Sequence, residues 1–71
     1  VYPNPSSGIL TITNQLPIRE IKLFDSRGKQ VISSFPDFEI VKLNITHLNS
    51  GVYFLKTYDE KGEDIIKLEV L

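Results

Sequence analysis

The chain has no cysteine and a single histidine. Without cysteine, neither a disulfide framework nor a thiolate metal site can form. That absence does not exclude an exported protein. It means that export, if it occurs, leaves the fold without covalent staples, so stability must come from packing. Clustered charge is also missing. Eight Lys and Arg oppose nine Asp and Glu, the net charge is -1, and the signs are interspersed. A nucleic-acid partner needs a clustered basic surface from which counterions are released, and a polybasic membrane anchor needs the same. Neither partner is expected. No apolar run approaches the ~20 residues of a membrane-spanning helix, so membrane insertion is not expected. The opening Val1-Tyr2-Pro3-Asn4-Pro5 has neither the basic nor the apolar region of a signal peptide. With no Met at its start, the chain reads as a fragment of a longer protein, so any export signal is expected upstream.

What is present is enough for one thin core. Hydrophobic residues make up 41% of 71 residues, and a domain this size buries only about 60% of its unfolded surface. Gly8, Pro17, Gly28, Pro36, Gly51 and Gly62 punctuate the chain at short intervals. Between them lie runs rich in Ile, Val, Thr, Tyr and Phe, which is the pattern of short strands in a sandwich or barrel. Strands are expected at Ile9–Thr13, Ile18–Phe24, Lys29–Ser34, Glu39–Ile45, Gly51–Tyr58 and Glu63–Val70. A further short strand is expected near Val1–Pro3. In the second run Ile21 and Leu23 alternate with Glu20 and Lys22. In the last, Ile66, Leu68 and Val70 alternate with Lys67 and Glu69. Strict alternation means one buried face and one solvated face. The expected fold is all-β: a small immunoglobulin-like antiparallel β-sandwich of about six to seven strands. A small open barrel is the runner-up.

The connections carry their own chemistry. Asp25-Ser26-Arg27-Gly28 and Asp59-Glu60-Lys61-Gly62 both begin with Asp, which accepts a hydrogen bond from backbone two residues on. Both end with Gly, which takes positive φ cheaply. Both read as tight hairpins. Thr46–Gly51 reads as a short helical turn capping one end, with Leu48 tucked into the core.

Catalytic groups do not converge in the sequence. His47 falls in that connecting turn. A Ser-His-Asp set with Ser50 and Asp37 lacks a nucleophile elbow or any other local support, so a solvent-facing loop histidine is the expectation and no catalytic residue is assigned. The acidic pairs Asp59-Glu60 and Glu63-Asp64 lack the oxygen spacing of a calcium loop. They read as a polar hairpin tip, and no metal or cofactor is expected. The aromatics are Tyr2, Phe24, Phe35, Phe38, Tyr53, Phe54 and Tyr58. Most are expected in the core, since few residues are available to fill it. Phe24, Phe54 and Tyr58 on one outer face would instead suit a passive or carbohydrate-binding immunoglobulin-like accessory module of an extracellular enzyme. Asn44-Ile45-Thr46 matches a glycosylation sequon, a short pattern that arises often by chance.

One ordered series of segments stands out. Tyr2-Pro3-Asn4-Pro5 with Gly8 opens the chain, the Asp25–Gly28 turn sits mid-chain, and Leu48-Asn49-Ser50-Gly51-Val52-Tyr53 follows. The two prolines bias Tyr2 and Asn4 toward extended geometry and stiffen the way into the first strand. Gly51 is expected to release the chain from the turn, and Tyr53 to enter the sandwich with its hydroxyl on a backbone partner. A terminal strand with alternating Lys and Glu can offer its edge to a partner by strand addition.

In this order and spacing the series resembles the type A C-terminal sorting domain of the type IX secretion system of Bacteroidota, over essentially the whole chain, residues 1–71. The resemblance implies an address carried behind an upstream cargo domain. Such a domain passes through the periplasm, then meets an outer-membrane translocon and a barrel-shaped shuttle protein. A sortase then removes it, leaving the cargo at the cell surface or secreted. It points to Lys67, Leu68, Glu69, Val70 and Leu71 as candidate recognition residues. It leaves Tyr2, Pro3, Asn4, Pro5, Gly8, Asp25, Gly28, Gly51 and Tyr53 as motif positions of mainly structural use. Members often carry a basic residue at or near the terminus, whereas this chain ends Val70-Leu71 after Lys67.

Overall fold

Alternating apolar residues organise the chain into strands and turns. The computed structural model describes residues 2–6 and 8–71. Val1, expected in the first short strand, and Ser7, within the opening motif, lie outside the described residues. Among the described residues there are seven strands: β1 (Tyr2–Ser6), β2 (Ile9–Ile18), β3 (Glu20–Asp25), β4 (Gln30–Ser34), β5 (Phe38–Asn44), β6 (Gly51–Asp59) and β7 (Gly62–Val70). They form two antiparallel sheets, one ordered β1-β2-β5 and the other β4-β3-β6-β7. The sandwich holds, and the open barrel does not, because the two sheets share no ladder.

The alternation works as physics requires. Ile21 and Leu23 on β3, Leu10 and Ile12 on β2, Val41 and Leu43 on β5 and Leu55 on β6 all point between the sheets and are buried. Leu10, Ile12, Ile18, Ile21, Leu23 and Leu55 are wholly buried, each contributing roughly 1.5–3 kcal/mol by leaving water. Leu48, Leu68 and Val70 pack against this core from its margin.

Three expectations are corrected. The first strand runs on to Ile18 rather than stopping at Thr13, and the second begins at Glu20. Its ladder with β5 is irregular between Thr13 and Ile18, which accommodates Pro17 without a missing hydrogen bond. The chain then changes sheet across Arg19 alone, whose amide donates to the Tyr58 carbonyl at 2.7 Å. The helical turn over Thr46–Gly51 is a single tight turn with no helix: the Leu48 amide donates to the Ile45 carbonyl at 3.1 Å. Asn44 prevents more. Its Oδ1 accepts from the Thr46 amide at 2.9 Å and the Thr46 hydroxyl at 2.6 Å, and such local bonds compete with a helix. The aromatics are not the core. Among those whose side chains are described only Tyr53 is buried, while Phe35 and Phe38 are 73% and 64% exposed. Strand parity decides this: Phe24 and Phe54 fall on the even face of strands whose odd face holds the buried Leu23 and Leu55.

Candidate functional site

The strand directions divide the sandwich into two poles. β1, β3, β5 and β7 run from a proximal pole, where Tyr2 pairs with Thr13, to a distal pole. β2, β4 and β6 run back. The motif positions beyond the first strand gather at the distal pole, although they lie far apart in sequence.

Two local structures shape that pole. At the Asp25–Gly28 hairpin the Gly28 amide donates to the Asp25 carbonyl at 3.0 Å, and Asp25 Oδ1 accepts from the amides of Arg27 and Lys29, both at 2.9 Å. Gly28 sits at φ 85°, and the β3–β4 register slips beside it, as in a three-residue hairpin with a bulge. Across the pole, Gly8 sits at φ 79° and its carbonyl accepts from the Ile45 amide at 3.0 Å. A Cβ there would run into the Thr46 Cγ2 methyl, so the opening motif and the Thr46 turn touch where only glycine fits.

Tyr53 ties these pieces to the sheet. Its ring is buried and its hydroxyl donates to the Asn49 carbonyl, four residues earlier, at 2.8 Å. This is the tyrosine-corner arrangement of immunoglobulin-like sandwiches. Tyr53 pairs with Asp25 on one side and Leu68 on the other, and Gly51 pairs with Val70. The register therefore sets Asp25, Tyr53 and Leu68 in one row across the sheet. Gly8, Asp25, Gly28, Gly51 and Tyr53 thus all lie at the distal pole. Pro3 and Pro5 lie on β1, an edge strand, where a missing amide is tolerated.

Of the candidate recognition residues, Lys67–Val70 form the last part of β7, and Leu71 follows, 98% exposed. β7 is an edge of the four-stranded sheet, paired with β6 only. Among the described residues no strand pairs with its far side. Lys67 and Glu69 face solvent, while Leu68 and Val70 are half-buried on the core side.

The outer face of this sheet carries the aromatics. Phe24 lies opposite Phe54, and with Ile65 they line a shallow depression of about 430 Å³ that Arg27 and Lys56 also border. Lys22 and Lys56 lie 5.7 and 5.4 Å from the centre of the Tyr58 ring, at cation–π range. The Tyr58 hydroxyl, then Glu63 at 3.5 Å, hold the Lys56 ammonium above its ordinary value. Phe24, Phe54 and Tyr58 do share one outer face, but two lysines attend Tyr58, so the three rings make no continuous bare stripe.

The catalytic combination weighed from sequence is not assembled. His47 and Ser50 lie in the distal turn, whereas Asp37 is at the other end of β5, roughly 20 Å away by strand rise. There it pairs with Arg19 at 3.3 Å. Among the described residues no three histidines or carboxylates converge as cation ligands. Asp59 and Glu63 flank a hairpin tip: Asp59 Oδ1 accepts from the Lys61 amide at 2.8 Å. Asn14 Nδ2 donates to the Asp59 carboxylate at 2.9 Å, a bond between the two sheets that sequence reasoning missed because nothing local pairs residues 45 apart.

A family model described as secretion system C-terminal sorting domain matches residues 1–70. No curated protein and no solved structure matches the chain.

Proposed function

Because this chain belongs to the secretion system C-terminal sorting domains, we propose that it is the part of a cargo chain read by the outer-membrane translocon and its barrel-shaped shuttle, through the end of β7. In this reading Lys67, Leu68, Glu69, Val70 and Leu71 are the contact segment. Upstream cargo is carried through the periplasm and across the outer membrane to the cell surface or the medium, and a sortase removes the domain afterwards. Gly8, Asp25, Gly28, Gly51 and Tyr53 serve by holding the distal pole in shape.

The observation that carries this reading is polarity. The strand that holds the contact segment lies at a sheet edge and ends at the pole away from Tyr2, in a molecule 31 Å along its longest axis. An edge strand presents unpaired backbone groups that a receptor strand can adopt, with alternate side chains giving selectivity. Cargo attached ahead of Tyr2 then stands clear of the receptor.

The test is a fusion. A signal peptide, an inert reporter and residues 1–71 are expressed in a host with the secretion system, beside a version lacking Lys67–Leu71. Circular dichroism on both purified domains establishes that the shortened one folds. The expected result is a surface-exposed or released reporter for the intact domain and a periplasmic one for the shortened domain. A reporter left in the periplasm by the intact domain overturns the sorting reading. Equal export by both assigns recognition elsewhere than the strand end.

A further inference from the structure

Proteins guard their sheet edges with proline, bulges, short strands or inward-pointing charge, because an open edge pairs with other chains. Three of the four edges here are guarded. β1 carries Pro3 and Pro5; β4 has five residues and a slipped register; β5 has Glu39 at the parity of Val41 and Leu43. β7 has Asp64 at its inward parity near the hairpin. From Ile66 to Val70 it has none of these devices. Ile66, Leu68 and Val70 lie half-buried along that stretch, so the core side of the edge remains partly open to solvent.

We propose that this edge pairs with the same edge of a second copy, antiparallel and centred on Leu68. The charge pattern selects the partner and the register. With Leu68 opposite Leu68, Ile66 meets Val70 of the other copy on the core face and Ile65 meets Leu71 on the outer face. Lys67 meets Glu69, and the two-fold axis makes that ion pair twice. Every opposed pair is apolar with apolar or cation with anion, as cross-strand stabilisation requires. Neighbouring registers fail. Centring on Lys67 opposes two ammonium groups, and centring on Ile66 opposes Glu63 to Glu69. β5 has no such register, since Lys42 has no acidic residue on its own face. The product is a continuous eight-stranded sheet across two molecules, whose small interface makes a weak, concentration-dependent dimer. Its formation covers Lys67–Leu71, so a dimer and a receptor-bound chain exclude one another.

The proposal rests on the edge and its charges, not on the sorting reading, and it is tested without export. Sedimentation velocity on the 71-residue chain from about 10 µM to about 1 mM, the range for weak interfaces, is expected to show monomer giving way to dimer. Lys67→Glu and Glu69→Lys each set like charges opposite one another twice and are expected to raise the dissociation constant roughly tenfold. The double exchange, Lys67→Glu with Glu69→Lys, restores both pairs and is expected to recover the dimer. These side chains face solvent, so circular dichroism should be the same for all four. A chain monomeric to about 1 mM overturns the proposal. So does a dimer indifferent to either single change, or a double exchange no better than the singles.

Discussion

At the scale of single residues, two glycines that look alike in sequence do different work. Gly8 and Gly28 both hold left-handed backbone, at φ 79° and 85°. Gly28 has nothing within reach of an added Cβ, so Gly28→Ala should cost only the backbone penalty, roughly 1–2 kcal/mol. At Gly8 the added carbon meets a Thr46 methyl that cannot swing aside, because the Thr46 hydroxyl is bound to Asn44. Crowding adds to the backbone penalty there, and Gly8→Ala should cost about 2–4 kcal/mol. Urea unfolding of the two variants checks the order; equal losses would mean that the Gly8–Thr46 contact is loose. Asp59 gives a pH-dependent counterpart. The Asn14 side chain, then the Lys61 amide, hold its carboxyl below the ordinary value. A depressed folded pKa stabilises fully above the unfolded value of about 3.9 and loses that contribution as pH falls through the folded value. Asn14→Ala should therefore move the Asp59 titration upward. The stability gap to the unaltered chain should be widest near neutrality and narrow below about pH 4. Carboxyl carbon shifts followed by NMR, with urea unfolding at both ends of that range, report both effects; an unmoved Asp59 titration would remove Asn14 as the cause.

At the scale of elements, a strand could be read where its alternation was strict and missed where its chemistry mimicked a turn. Ile21 and Leu23 against Glu20 and Lys22 state which face is buried, and β3 follows. So do β5, β6 and β7, and the two Asp-to-Gly hairpins, whose Asp carboxylates accept the expected amides. Asn14, Gln15 and Pro17 look like turn residues, yet the chain passes through them as an irregular strand, because the ladder partner and not the local preference decides. The aromatics misled for a related reason. Size argues for burial, but Phe38 and Phe54 are placed by parity, and two sheets already filled by Leu and Ile leave no space between them. Order within a sheet has no local signal at all. Nothing in residues 20–25 says that β3 lies between β4 and β6, or that β7 is left at an edge. The distal pole was therefore legible as a list of motif positions, while its convergence needed the register that sets Tyr53 beside both Asp25 and Leu68.

At the scale of the whole molecule, the fold has little stability to spare and its edge strand depends on the rest. A domain of 71 residues is held by roughly 4–10 kcal/mol, and the presented part of β7 is only one row from the core. It pairs with β6 alone, and β6 is fixed by Leu55, wholly buried between the sheets. Two readings of a sorting signal separate at this point. If a receptor reads the last residues as a linear peptide, damage to the core leaves export intact. If it reads an edge held in the geometry of a sheet, the core is part of the signal, although no core residue touches the receptor. Leu55→Ala should cost about 2–5 kcal/mol, a large share of the total, while leaving Lys67–Leu71 unchanged in sequence. In the reporter fusion this variant is expected to lose most export, with the shortfall growing as the growth temperature rises. A compensating change that restores stability without touching β7 should recover it. Gly28→Ala, with its smaller expected cost, should fall between. Full export by Leu55→Ala, with the purified domain demonstrably unfolded at that temperature, would mean that the receptor reads a peptide and that the sandwich serves some other step.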